Sequence, residues 1–150
     1  MRRFGEPRDP RRTYTPRPGV YAILPRNGKL LVTHQVEPKP EIQLPGGGID
    51  PGESAIHALH REVLEESGWR IAYPRRFGVY RRFTFMPEYD LWAEKIAHIY
   101  VAFPTLRFGP PSESGHTELW LEPDVALSAL ASDGDRKMLD RFLIQRLGSF

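Results

Sequence analysis

The sequence predicts an α/β fold, a mixed β-sheet covered by helices on both faces. Three observations lead there. Apolar and β-branched runs bracket a glycine-rich loop, an amphipathic helix follows that loop directly, and the chain closes on a second helical stretch after further strand-like runs. Strands, a central helix, more strands and a terminal helix pack most simply as a sheet sandwiched between helices. With 150 residues, 40% of them hydrophobic and 27% charged, the chain is long enough for one well-cored domain and too short for two ordinary ones.

Residues 1–18 hold Pro7, Pro10, Pro16 and Pro18 among six arginines (2, 3, 8, 11, 12 and 17), a composition that builds no core and reads as a Pro/Arg-rich N-terminal arm. The single folded domain is then expected over 19–150. It opens on a hairpin, because Val20 to Leu24 and Leu30 to Thr33 flank Asn27-Gly28, a pair suited to a tight turn. A proline-punctuated loop, Glu37 to Glu41, leads to the apolar stretch Ile42 to Leu44 and then to Pro45-Gly46-Gly47-Gly48. Ser54 is placed to cap a helix running to Ser67, Ile56, Leu59 and Val63 recur at helical spacing, and Gly68 is placed to end it. Strands are expected at Phe77 to Phe85, Ile96 to Phe103 and Leu119 to Leu121. The end of the chain reads as helix, with Pro123 in a first turn and Met138, Leu139, Phe142, Ile144 and Leu147 on its apolar face.

Charge and cysteine content narrow the setting. The arm carries six arginines against Glu6 and Asp9, a net +4, which leaves −2 for residues 19–150 within the overall +2. The basic balance therefore lies in the arm, and the body gives no basic-patch signal for nucleic acid. Without cysteine, neither a disulfide framework nor a thiolate zinc site is available, and a cytoplasmic location is expected. The N-terminus lacks an apolar signal region, and no apolar run approaches the roughly 20 residues that span a bilayer, so no membrane partner is expected.

On a helix at about 100° per residue, Glu62, Glu65 and Glu66 fall within a sector of about 100°, beside the apolar stripe. This placement is unfavourable by itself. Glu62 and Glu66 repel at i,i+4, and the helix dipole opposes anions in the last turn by roughly 0.3–1 kcal/mol each. Arg61 can neutralise one carboxylate, whereas a hard divalent cation takes several oxygens at once. A solvated acidic face is the plain alternative for the three glutamates alone.

Their surroundings decide between the two. Gly47 is followed after five residues by Glu53, then after seven by Arg61-Glu62-Val63-Leu64-Glu65-Glu66-Ser67-Gly68. This resembles the box of the Nudix hydrolases, Gly-x5-Glu-x7-Arg-Glu-aliphatic-x-Glu-Glu-x-Gly-aliphatic. Seven identities, each at a frequency of about 7%, would coincide by chance on the order of 10⁻⁸ per starting position. Trp69 departs from the final aliphatic slot but stays apolar. The box covers 23 of the 150 residues, and Leu44-Pro45-Gly46 resembles its lead-in.

The resemblance implies a Nudix-type α/β/α sandwich and hydrolysis of a nucleoside diphosphate linked to another group X, with a small-molecule nucleotide as substrate and Mg²⁺, or Mn²⁺ in its place, as cofactor. Carried over by position, Glu62, Glu65, Glu66 and the Gly46 carbonyl are metal ligands, and Glu53 with Arg61 is an ion pair bracing the loop. Glu65, Glu113 and Glu118 are the candidates for the general base. An RNA 5′ end is an alternative substrate, suggested by the arginine arm and by Gly47-Gly48-Ile49-Asp50, and a non-catalytic nucleotide-binding module is a third reading. Relatives occur both as monomers and as homodimers.

Outside the box the signals are weaker. His57 and His60 have i,i+3 spacing without a matching ligand set, and His116 sits near the loop acids, within reach of a phosphate or base. Tyr80, Phe83, Phe85, Tyr89 and Trp92 flank a turn and read as hairpin packing or as a stacking surface for a base. Arg81, Arg82 and Lys95 can meet phosphates or the X group, although solvation is the simpler reading of any one of them.

Overall fold

The Asn27-Gly28 turn has both residues at positive φ, 52° and 77°, the twist that lets two strands return tightly on each other. It joins β3 (Pro25–Arg26), a short extension of β2 (Thr15–Ile23), to β4 (Lys29–Gln35). The structure, a computed structural model, describes residues 1–146. Beyond β4 come β5 (Glu41–Gln43), β6 (Gly46–Gly48), helix α1 (Ala55–Ser67), the long hairpin of β7 (Trp69–Met86) and β8 (Leu91–Arg107), β9 (His116–Leu121), and helices α2 (Pro123–Ala129) and α3 (Asp133–Gln145). Before them all lies β1 (Arg2–Phe4).

Five strands form a mixed sheet in the order β1-β7-β8-β2-β6, in which β1 with β7 and β2 with β8 are parallel and the other neighbours antiparallel. In a smaller antiparallel sheet, β4 pairs with β9 along one edge and with β3 and β5 along the other. Strand pleating sends alternate residues to opposite faces. On one face Val20, Ala22, Tyr100 and Ala102 meet Ala58, Leu59 and Val63 of α1. On the other Ile23, Ile99 and Val101 meet Met138, Leu139 and Phe142 of α3. The result is the expected sandwich, a mixed sheet with helices on both sides. Among the described residues no helix is long and apolar enough to cross a membrane.

Four local expectations are corrected. Residues of the arm join the sheet: Arg2–Phe4 pair with β7, and β2 begins at Thr15 rather than Gly19. Strands β7 and β8 extend well past 77–85 and 96–103, through register shifts between Ala72 and Arg75 where Tyr73 has φ 54° and Pro74 lacks an N–H. The final helical stretch is two helices. Leu130 breaks it by turning into the core, 1% exposed, and Ser132 caps the next helix. Lastly, Ile56 is 41% exposed, so the buried stripe of α1 is Ala58, Leu59 and Val63, and on α3 Ile144 is 69% exposed. Leu147 lies outside the described residues.

Candidate active site

The Ser54 hydroxyl accepts from the His57 N–H and fixes the start of α1, while Gly68, at φ 79°, donates to the Leu64 carbonyl and ends it. Between these caps the helix lies against β6, close enough that a side chain at Gly47 would collide with the Glu62 carboxylate. Glycine there is the condition for bringing that acid to the loop. The Gly46 N–H donates to Glu66 Oε1 at 3.0 Å, tying loop and helix together a second time.

A third tie is ionic. Arg61 Nε and Nη2 form a two-pronged contact with Glu53, at 2.7 and 2.8 Å, and Nη2 also reaches the Gly48 carbonyl at 3.1 Å. Glu53 in turn accepts from the Asp50 N–H and lies 2.8 Å from His57 Nδ1. Hydrogen bonds from Arg61 and Asp50 hold the Glu53 carboxyl well below the ordinary carboxylate range. The other guanidinium nitrogen of Arg61, Nη1, touches Glu62 at 2.9 Å and Glu65 at 3.3 Å.

The loop after β8 completes the cluster. Ser112 and Glu113 both donate their N–H groups to the Glu65 carbonyl at 3.0 Å, so the open end of α1 positions the Glu113 side chain. Glu62, Glu65 and Glu113 come together as one set of candidate metal ligands, and Glu66, Glu113 and His116 as another. Glu113 belongs to both. Burial pushes the Glu62 carboxyl up to about 7 and raises that of Glu66, the expected response of anions crowded away from water. His116 Nε2 lies 3.2 Å from Glu66 Oε2, and this contact pushes the imidazole up to about 9.

Glu118, expected beside Glu113, belongs to neither set. One oxygen accepts from Trp69 Nε1 at 2.7 Å, and the other accepts from Arg107 Nε at 2.6 Å. The indole at the box's one departing position thus holds Glu118, something an aliphatic side chain could not do. Trp69 also packs edge-on against Trp120, with ring centroids 5.2 Å apart.

A profile of the NUDIX domain matches residues 13–142, most of the chain. The chain belongs to the Nudix family. Its Nudix box is the segment whose carboxylates meet the β6 loop. A Bacillus subtilis (strain 168) protein described as "Putative 8-oxo-dGTP diphosphatase" is 38% identical over 74 residues, which cover 49% of this chain and 50% of that protein. An RNA pyrophosphohydrolase of Helicobacter pylori (strain G27) is 40% identical over 57 residues, covering 35% and 37%. The chain thus matches about half the length, or less, of these relatives. Among solved structures, a NUDIX hydrolase from Nitrosomonas europaea superposes with a TM-score of 0.71 at 19% identity, covering 87% of this chain and 90% of that one. The fold of the Nudix sandwich is shared at that level.

One residue and one contact near the site are not visible in the sequence. Tyr21 pairs with Gly46 across β2 and β6, where the Val20 carbonyl and the Tyr21 backbone and ring fill the space a side chain at Gly46 would need. The Trp69–Glu118 bond joins residues 49 apart. Both depend on strand pairing that local pattern does not report. The expected aromatic group divides: Tyr80 and Phe83 are buried, Phe85 packs on Trp92, and Tyr89 is 57% exposed.

Proposed function

We propose that the chain is a divalent-metal-dependent hydrolase that cleaves a phosphoric anhydride bond in a nucleoside diphosphate linked to a further group. The observation that carries this reading is that two acidic sets, Glu62, Glu65 and Glu113, and Glu66, Glu113 and His116, meet at Glu113, against the end of α1 where the dipole opposes negative charge. The donors fit a hard cation. They are carboxylate oxygens at the brink of burial, two of them with raised pKa, and Arg61 offsets only part of their charge. In this reading Glu62, Glu65, Glu66 and the Gly46 carbonyl hold Mg²⁺ or Mn²⁺.

When bound, the ion supplies Lewis-acid neutralisation of phosphate oxygens and makes water a stronger acid. The protein's own residues do the rest. Glu53 and Arg61 lock the glycine loop to the helix, so the ligands keep their spacing as the substrate enters. The Glu65 and Glu113 side chains, 41% and 43% exposed, have oxygens open to an incoming water and are the candidates to accept its proton. Glu118 is committed to Trp69 and Arg107 and is assigned no such part. A non-catalytic module is disfavoured by the intact set of box carboxylates.

The relatives' names point to a nucleotide substrate, either a free triphosphate or an RNA end. The test is a panel of nucleoside triphosphates, dinucleoside polyphosphates, nucleotide sugars and 5′-triphosphorylated RNA with Mg²⁺ or Mn²⁺, followed by product identification. Glu66→Gln is expected to lower turnover by roughly 10²–10³-fold while the far-ultraviolet circular dichroism is unchanged. Turnover equal to wild type would overturn the site assignment.

A further inference from the structure

On the sheet face that carries α3, strand pairing lines up three cations. Arg17 of β2 is the register partner of Lys95 of β8, and Lys95 is the partner of Arg82 of β7. Paired residues on neighbouring strands share a face, so three positive side chains stand in one row across three strands. Among the described residues none of the three forms an ion pair.

The acids whose charges act on Lys95 are Glu88, Asp135 and Glu41. Asp135 is engaged by the Tyr80 hydroxyl at 2.6 Å, and Glu41 by Lys39 and Gln43. Arg81, one residue from Arg82 and pointing to the opposite face, does find an acid, Glu94, at 3.3 Å. Burial first, and then the adjoining Arg82, lower the Lys95 pKa. The exposed ring of Tyr89 lies under the Arg17 guanidinium, 4.5 Å away, and holds that side chain without neutralising it.

The row lies on a continuous path from the acidic cluster. Glu66 accepts from the Gly46 N–H at 3.0 Å, and Gly46 is the register partner of Tyr21 on β2. Tyr21 and Arg17 are four positions apart on β2, about 13 Å at the rise of a strand. This is comparable to the span of one extended nucleotide, from its terminal 5′ phosphate to a phosphate on its 3′ oxygen.

We propose that Arg17, Lys95 and Arg82 form a second anion subsite, which receives a phosphate on the 3′ side of the nucleotide whose 5′ anhydride lies at the carboxylates. The substrate class is then a 5′-polyphosphorylated nucleotide that also bears a 3′ phosphate, either as a free monoester or as the first phosphodiester of an RNA. The assignment rests on the hydrolase reading for what lies at the carboxylates. Its test is therefore a binding measurement that needs neither metal nor turnover.

By calorimetry without metal, nucleoside 3′,5′-bisphosphates are compared with the matching 5′-monophosphates, and with 5′-phosphorylated dinucleotides. The 3′ phosphate is expected to tighten binding about tenfold or more, the strength of charge-assisted contacts. Lys95→Gln and Arg82→Gln are expected to remove most of that gain and to flatten its dependence on salt. Arg82 is solvent-exposed, so its variant tests the subsite even if Lys95→Gln unfolds. A larger gain from the monoester identifies a free nucleotide as the source, and a larger gain from the dinucleotide identifies an RNA end. Equal affinity for bisphosphates and monophosphates, or a gain that survives Arg82→Gln, would overturn the subsite. Hydrolysis of 3′-hydroxyl substrates in the panel above would still stand in that case, so the two readings fail separately.

Discussion

Helices α1 and α3 are built alike and charged oppositely. Each has 13 residues, and each begins at a serine whose hydroxyl accepts an N–H three residues on, His57 in α1 and Asp135 in α3. In α3 the acids Asp133 and Asp135 sit in the first turn, where the helix dipole welcomes them. In α1 the first turn has no acid and the last has no base, while Glu62, Glu65 and Glu66 crowd the end that the dipole makes negative. A helix serving only the fold would resemble α3. The charge placement of α1 opposes stability, and a bound cation is what would reconcile it.

The largest expected stability effect is at Asp135. Its carboxylate is favoured by the dipole, yet burial pushes its pKa from 3.8 up to about 6. The folded state then binds the proton more tightly than the unfolded one. The cost of the buried charge is absent below about pH 3.8, grows as pH rises, and is complete above about 6. Asp135→Asn, which keeps an acceptor for Tyr80, is expected to gain on wild type by up to about 3 kcal/mol between pH 4 and 7. Denaturant melts at the two pH values check this, and a constant difference would contradict it. Glu53 runs the other way. Its carboxyl is lowered by Arg61, so its contribution is intact at neutral pH and erodes once pH falls below about 4.5, where the unfolded chain takes up the proton.

Smaller effects are expected at the caps. Ser54→Ala and Ser132→Ala should each cost about 1 kcal/mol, or roughly 2–4 °C in Tm. Ser132 should cost the more of the two, because its hydroxyl also lies 3.1 Å from the Tyr80 hydroxyl. Thermal melts of the two variants compare the caps directly, and a larger loss at Ser54 would reverse the ranking.

What the sequence made legible was local. Asn27-Gly28, the capping Ser54 and the terminating Gly68 each act within a few residues of themselves, and the fixed spacing from Gly47 to Glu66 lies on one loop and one helix. What escaped was set by strand pairing. Nothing beside Glu118 in the chain says that Trp69 and Arg107 will claim its oxygens, and nothing beside Arg17 says that Lys95 and Arg82 will stand next to it. The break at Leu130 was hidden because an apolar residue fits equally well as a helix interior or as a plug in the core.

The claim that the end of α1 is built for a cation is tested most directly by thermal denaturation with increasing Mn²⁺. Wild type is expected to gain roughly 5–10 °C once the ion is about 100-fold above its dissociation constant. Glu66→Gln is expected to melt above wild type without metal, since a crowded buried charge has been removed, and to lose most of the gain on adding Mn²⁺. A wild type that does not respond to Mn²⁺, or a Glu66→Gln variant that keeps the full response, would contradict the account.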